Sequence, residues 1–250
     1  MLKEFRADLH IHTCLSPCGD LGMSPAEIVR QAVERGIQIV AVCDHNTTEN
    51  SAAVIKAARG RGLTVLPGME ITTREEVHIA ALFENMADAL AMQMLIYDNL
   101  EGENDAKIFG RQPVVDADGL VLGFNPRLLI GATKLSIEET VNAIHSHKGL
   151  AIAAHIDREG FGIIGQLGFI PRGLKLDALE ISPNLEIATA RIRFDKYRGY
   201  PFLRSSDAHC LEDVGQGTTV FLLEQASLEE LRMALKLKGG RKIAQVTTDY

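Results

Sequence analysis

The chain alternates short, almost purely apolar runs with longer segments whose apolar residues recur at helical spacing. Ile37-Gln38-Ile39-Val40-Ala41-Val42-Cys43 is nearly continuous and β-branched, the pattern of a parallel strand buried on both faces. Comparable runs occupy residues 63–66, 77–83, 150–154, 176–181, 202–206 and 218–223, with a first strand running into Ala7-Asp8-Leu9-His10-Ile11-His12-Thr13 and a last one at 242–246. The segments between them open as helices do. Ser24-Pro25-Ala26-Glu27, Ser136-Ile137-Glu138-Glu139 and Ser227-Leu228-Glu229-Glu230 each read as a capping box, while Gly36 and Gly149 close the helices that follow the first two. Further helices are predicted over residues 50–60, 87–97 and 185–197.

Strands alternating with capped helices predict βαβ units, right-handed crossovers and a parallel sheet. About seven such units at this length favour an α/β barrel over an open doubly wound sheet. No G-x-G-x-x-G follows the first strand, as a dinucleotide-binding sheet would require. The rhythm breaks over residues 98–130, where Asp118-Gly119 between apolar runs signals a hairpin. The expected organisation is one barrel domain over 1–250 with an inserted hairpin subdomain at 98–130.

Composition narrows the class. With 250 residues, 46% hydrophobic and 24% charged, the chain can bury one sizeable core. It has no apolar run of membrane-spanning length and no apolar signal core at the N-terminus, which predicts a cytoplasmic protein without membrane contact. A net charge of -7 argues against a broad basic face for duplex DNA, while leaving room for a local pocket that takes a phosphate or a short strand. Cys14, Cys18, Cys43 and Cys210 are too few and too scattered for a disulfide scaffold. Cys14 and Cys18 lack a second ligand pair at zinc-finger spacing, so all four read as reduced thiols.

The candidate chemistry lies at the ends of the apolar runs. His10-Ile11-His12 ends the first, and strand alternation sends both imidazoles to one face. Asp207-Ala208-His209 repeats that geometry. His45, Glu70 and His155 each follow a run, Asp20 lies in the first loop, and His78 lies inside the run 77–83. In a parallel barrel the C-terminal strand ends share one rim, so these nine side chains would meet in one cup. Nine donors exceed the needs of one divalent ion and suit two or three ions bridged by carboxylates. Asp8 and Asp44 read as partners that orient imidazoles, and His145 and His147, at i and i+2 of a helix, as surface or packing residues.

The set His-x-His-Thr with a downstream Asp, Val-Cys-Asp-His-Asn, Pro-Gly-Met-Glu, Val-His-Ile, Ala-His-Ile-Asp-Arg and Ser-Asp-Ala-His resembles the PHP (polymerase and histidinol phosphatase) family, with matches from Asp8 to His209. The resemblance implies a distorted (β/α)7 TIM-like barrel, two or three divalent ions (zinc, manganese or iron) and phosphoester hydrolysis by a metal-bridging hydroxide. It implies one ion on His10, His12, Glu70 and Asp207, a second on Glu70, His78 and His155, and a third on Asp20, His45 and His209. Glu70, Asp207 and His209 are then the catalytic candidates. Asp at position 20 matches the branch acting on nucleotides or short oligoribonucleotides, whereas histidinol phosphatases usually carry histidine there. The implied partner is a small phosphorylated substrate, a nucleotide or short RNA. Arg158, Lys134 and Arg191 are candidates to bind its phosphate, since a guanidinium fork matches phosphate oxygens. A metal-dependent amide or C-N hydrolase and a non-catalytic metal-binding domain remain open. The first often uses a carbamylated lysine at a strand end, and no lysine here sits among the ligand positions; the second would be expected to lack some ligands.

Overall fold

Runs that are apolar on both faces must be covered on both faces, and the computed structural model, which describes residues 1–248, shows how. In chain order the elements are β1 (Lys3–Ile11), α1 (Pro25–Glu34), β2 (Ile39–Val42), α2 (Ser51–Ala57), β3 (Thr64–Thr72), β4 (His78–Leu82) and α3 (Met86–Asn99). There follow β5 (Pro113–Val115), β6 (Val121–Phe124), α4 (Ile137–Ser146), β7 (Leu150–Ala153), α5 (Ile163–Leu167) and β8 (Ala178–Ile181). The chain continues through α6 (Ile187–Arg193), β9 (Phe202–Arg204), β10 (Gly217–Leu223), α7 (Leu228–Leu235) and β11 (Lys242–Thr248). Nine strands form one sheet in the order β11-β10-β1-β2-β3-β4-β7-β8-β9, which curls into a nearly closed barrel. It closes between the end strand β9 and β10, next to the other end, where Thr219 Oγ1 accepts from Arg204 N and donates to Arg204 O, both at 2.9 Å.

One apolar cluster draws alternate residues from strands all round the sheet, including Phe5, Ala7, Leu9, Ile39, Ala41, Leu82, Ile152 and Phe221, and so fills the barrel interior. Leu228 and Leu231 of α7 cover one end of it. Outside, α3, α4, α5 and α6 pack on the β3-β4-β7-β8 wall, and α1 and α2 pack on β2. Ser136 forms the expected reciprocal capping box with Glu139, and Ser227 accepts from Glu230 N. Ser24 makes no side-chain cap bond, although Pro25 still sits at the start of α1. Among the described residues no helix is long and apolar enough to cross a membrane.

The barrel departs from the all-parallel sheet that the alternation predicts. Strands β1-β2, β2-β3, β7-β8 and β8-β9 are parallel, but β4 runs antiparallel to both β3 and β7, and β10 antiparallel to β1 and β11. The cause at β4 is its connection. Only a tight turn closed by Thr73 N to Val77 O at 2.9 Å separates it from β3, too short for the crossover that parallel pairing needs. β3 itself is longer than the run 63–66 and changes partner midway, pairing with β2 up to Pro67 and with β4 from Gly68 onward.

The insertion forms its own antiparallel pair, β5 and β6. Asp116 Oδ1 shapes its turn by accepting from Asp118 N and Leu120 N. Asn50 ties the hairpin to the barrel: Oδ1 accepts from Val115 N at 3.0 Å, and Nδ2 donates to Thr13 Oγ1 at 3.0 Å beside His12.

Gly68 is where two sheet edges crowd one backbone. A Cβ there would lie 2.7 Å from Ala81 O and 3.0 Å from Val42 O. Gly68→Ala should therefore destabilise the fold by about 1–3 kcal/mol, with a fall of roughly 2–4 °C in Tm per kcal/mol. Thermal melting beside Gly199→Ala, where an added Cβ meets nothing within 4 Å, checks it.

Candidate metal centre

Each donor reaches the rim for a reason in its strand. His10 and His12 end β1 on one face, with ring centroids 5.2 Å apart. His45 leaves β2 and forms a parallel bridge with Glu70 of β3. His78 begins β4, and because that strand is reversed, its start lies at the rim where its neighbours end. His155 follows β7, and Asp207 and His209 follow β9. Asn46, His155 and Asp207 hold positive φ of 54°, 28° and 51°, conformations that cost a non-glycine residue about 1–3 kcal/mol each and must be stabilised by the surrounding structure.

Glu70, 1% exposed, is the centre of the cup. His78 Nδ1 lies 2.8 Å from it, His45 Nδ1 and His155 Nε2 3.1 Å, His10 Nε2 3.4 Å and His12 Nε2 3.5 Å. His10, His12, Glu70 and Asp207 offer donor atoms all within 4.8 Å of one another; so do His45, Glu70 and His78, and so do His12, Cys18, His45 and His209. The expected donors thus converge with one exception. Asp20 and Cys18 are both exposed, and Asp20 Oδ1 accepts from Gly22 N at 2.6 Å. In its place Cys18 Sγ lies 3.1 Å from His45 Nε2.

Hydrogen bonding outside the cup sets which nitrogens face inward. His10 Nδ1 donates to Glu180 at 3.0 Å, which turns its Nε2 lone pair toward Glu70 and Asp207. Ser16 Oγ donates to Asp44 at 2.7 Å and therefore accepts from His12 Nδ1 at 2.9 Å, so His12 also presents Nε2. His209 Nδ1 donates to the Asp207 carbonyl at 2.7 Å. His10 Nε2, His45 Nδ1 and His78 Nδ1 are buried without a hydrogen bond among the described residues, although carboxylate oxygens lie within ion-pair distance. Lone pairs aimed at a shared point beside two carboxylates fit divalent ions.

Electrostatics agrees. Burial would lower the His10 pKa, but the charges of Glu180, Glu70 and Asp207 outweigh it and hold that imidazole well above the ordinary histidine value. Burial would raise Asp207, yet His10 and the hydrogen bond from His12 keep its carboxyl well below the usual carboxylate range. Glu70 is likewise held low, against its burial, by His78, His10 and His45. Positive charge is thus stabilised among the carboxylates by the protein alone. Burial lowers His45 well below its usual value and brings His209 down to about 4.

Glu180 is not singled out by the sequence, because one acid inside an apolar strand carries no spacing signal. Cys18, which reads from the sequence as a plain thiol, is the other residue of the cup that spacing misses. Asp44 orients His12 through Ser16, as expected of a supporting carboxylate, whereas Asp8 accepts from Ser206 N at 2.9 Å and Gly215 N at 2.8 Å. It fixes the segment that carries Asp207 and touches no imidazole. Burial pushes the Asp8 carboxyl up to about 6 against those bonds.

Above the cluster lies a cavity of about 220 Å³ bordered by Cys18, Ile130, Arg158, Phe161 and His209. Of the phosphate-binding candidates only Arg158 borders it, with Nη1 2.6 Å from Asp207 Oδ2. Lys134 is exposed and paired with Glu101, and Arg191 is exposed on α6. His145 pairs with Asp177 away from the cup.

Residues 8–161 match the PHP domain and residues 191–238 match the domain described as PHP-associated. The chain is 28% identical over 198 residues to the 5'-3' exoribonuclease Rnm of Escherichia coli (strain K12), covering 60% of this chain and 65% of that one. It is 35% identical over 78 residues to a 3',5'-nucleoside bisphosphate phosphatase of Chromobacterium violaceum, covering 30% and 26%. It thus spans less than two thirds of these curated relatives. Among solved structures, a complex of Endonuclease Q with a 27-mer duplex substrate bearing an abasic lesion shares the fold at a TM-score of 0.73 and 18% identity, covering 96% of this chain and 58% of that one. That complex overturns the expectation of a small partner with duplex DNA excluded, since a protein sharing this fold is bound there to a duplex. Net charge summed over a chain does not set the potential at one rim. With the PHP domain matched over most of the barrel and the donors gathered at its rim, this chain belongs to the PHP domain family.

Proposed function

We propose that the chain is a metal-dependent phosphoester hydrolase whose substrate is a nucleotide or an oligoribonucleotide. The observation that carries this reading is the convergence of buried imidazoles on Glu70, with Asp207 and Arg158 beside them at the floor of one cavity. Family membership and the printed names of the exoribonuclease and bisphosphate phosphatase relatives support it.

His10, His12, Glu70 and Asp207 would hold one ion, and Glu70, His78 and His155 a second. Divalent ions bound there supply Lewis acidity toward a phosphoryl oxygen and acidify water to a pKa near ~7. The protein does the positioning. Glu180 and the Asp44-Ser16 pair fix the His10 and His12 rings before substrate arrives, so no reorganisation is left for the reaction. Arg158 keeps a partly exposed guanidinium over the cavity, with one nitrogen on Asp207 and a fork whose geometry suits phosphate oxygens. Asp207, held as the anion, keeps its negative charge facing His10 and His12. Phe161 stacks on His78 with centroids 4.4 Å apart and, with Ile130, shields one side of the cup from water.

A metal-reconstituted screen against p-nitrophenyl phosphate, histidinol phosphate, nucleoside bisphosphates, short RNA and duplex DNA tests the reading. Turnover of nucleotide or RNA esters is expected, abolished by a chelator and by His12→Ala; no turnover of any ester with metal verified bound would overturn it. Histidinol phosphate alone as substrate would move the assignment to that branch. On the accepted substrate, Arg158→Ala should lower kcat/KM about 10- to 100-fold, roughly 1.4–2.8 kcal/mol of transition-state stabilisation. Glu180→Gln should leave the fold intact by circular dichroism while weakening metal affinity about 10- to 100-fold in a competition titration, the usual cost of losing a ligand's orienting partner.

A further inference from the structure

The position that family resemblance assigns to Asp20 is filled in space by another residue. His45 divides its ring between two neighbours, with Nδ1 3.1 Å from Glu70 Oε2 and Nε2 3.1 Å from Cys18 Sγ. His209 and His12 complete a group with Cys18 whose donor atoms all lie within 4.8 Å of one another. His12 Nε2 is 3.1 Å from Asp207 and belongs to the neighbouring position. Cys18, His45 and His209 remain.

The loop that presents Cys18 is firmly built. Ser16 N donates to Thr13 O at 3.2 Å and Gly19 N to Ser16 O at 2.9 Å, forming successive turns, the second of which contains the cysteine. Ser16 is itself held by Asp44. At Gly19 a Cβ would come within 2.5 Å of Thr13 O, so that turn admits only glycine. Asp20 is engaged in shaping the chain instead, since its N donates to His209 O at 2.8 Å and its carboxylate closes a turn onto Gly22 N. To ligate, Asp20 would have to abandon that turn, whereas Cys18 already points at His45.

We propose that Cys18, and not Asp20, is a metal ligand of this chain, and that with His45 and His209 it forms a three-ligand position selective for a thiophilic ion of the zinc class. The inference rests on reading the cup as a metal centre. Thiolate with two imidazoles suits zinc or cobalt over manganese or magnesium, whereas the oxygen-rich group around Glu70 and Asp207 accepts the harder ions too. Three protein ligands leave a coordination place open at the cavity, where Cys18 and His209 both border the space above the cluster.

The test titrates the metal-stripped protein with Co²⁺ alone and reads absorbance, with bound metal counted by elemental analysis. The near-ultraviolet sulfur-to-cobalt charge-transfer band should appear in the wild type, persist in Asp20→Ala and vanish in Cys18→Ser, which keeps Cys14, Cys43 and Cys210. Ligand-field bands from cobalt at the other positions should survive in Cys18→Ser and report that the cup is still folded. Cys18→Asp should recover the equivalent of metal lost in Cys18→Ser, without the band. Cobalt bound without a charge-transfer band, or a band surviving Cys18→Ser, would overturn the role of Cys18 and leave the hydrolase reading standing. Loss of the band in Asp20→Ala with Cys18 present would overturn the assignment in favour of Asp20. No cobalt bound at all would remove the metal centre itself, and this inference with it.

Discussion

A carboxylate buried to 1% exposure with five imidazoles within 3.5 Å is the constraint on which the rest of this barrel depends. Removing an unpaired carboxylate from water costs several kcal/mol even after the protein relaxes. Glu70 can sit there only because cationic or cation-binding groups surround it. The surrounding histidines in turn need their outer nitrogens satisfied, which is the work of Glu180 for His10 and of Ser16 with Asp44 for His12. The charge at the centre thereby dictates polar residues one and two steps away, in strands that are otherwise apolar.

Placing donors from many strands around one point also dictates the irregularities of the barrel. A strictly parallel sheet would carry the first residue of β4 to the far end. Reversal of β4 through a tight turn puts His78 2.8 Å from Glu70 instead. β3 must then serve two partners, and Gly68 is where it passes between them. The positive φ values at His155 and Asp207 belong to the same cause, since regular backbone would carry those side chains past the cup. Asp8 stabilises one of these distorted segments by taking the Ser206 and Gly215 amides.

Much of this is legible in the residues themselves. His10-x-His12 and Asp207-x-His209 announce a shared face because strand alternation is a local rule, and apolar runs ending in a donor place the rim without knowledge of the topology. The barrel follows from the alternation of runs and capped segments. Strand direction does not, because it is set by the length of the turn after Thr72, and the run 77–83 reads the same in either direction. Ser24 has the capping pattern and makes no cap bond, since the pattern states a capacity that neighbouring geometry can leave unused. Glu180 is hidden for the opposite reason: its importance comes wholly from a contact with His10, 170 positions away.

Total charge misleads about the substrate for a physical reason. A sum of -7 counts the carboxylates inside the cup on the same footing as those on the surface. The buried ones face inward toward cationic partners, and Glu70 is balanced within the cluster itself. Two or three divalent ions held there would add about four to six positive charges at the rim, with Arg158 beside them. A phosphate ester docking at such a rim would meet those ions and Arg158, and not the sum over the chain. Cys18 refines the same point. A thiol carries no formal charge in the sum of -7, whereas a thiolate ligand would add one. Coordination at this site would therefore set its balance, which no count of Asp, Glu, Lys and Arg can contain.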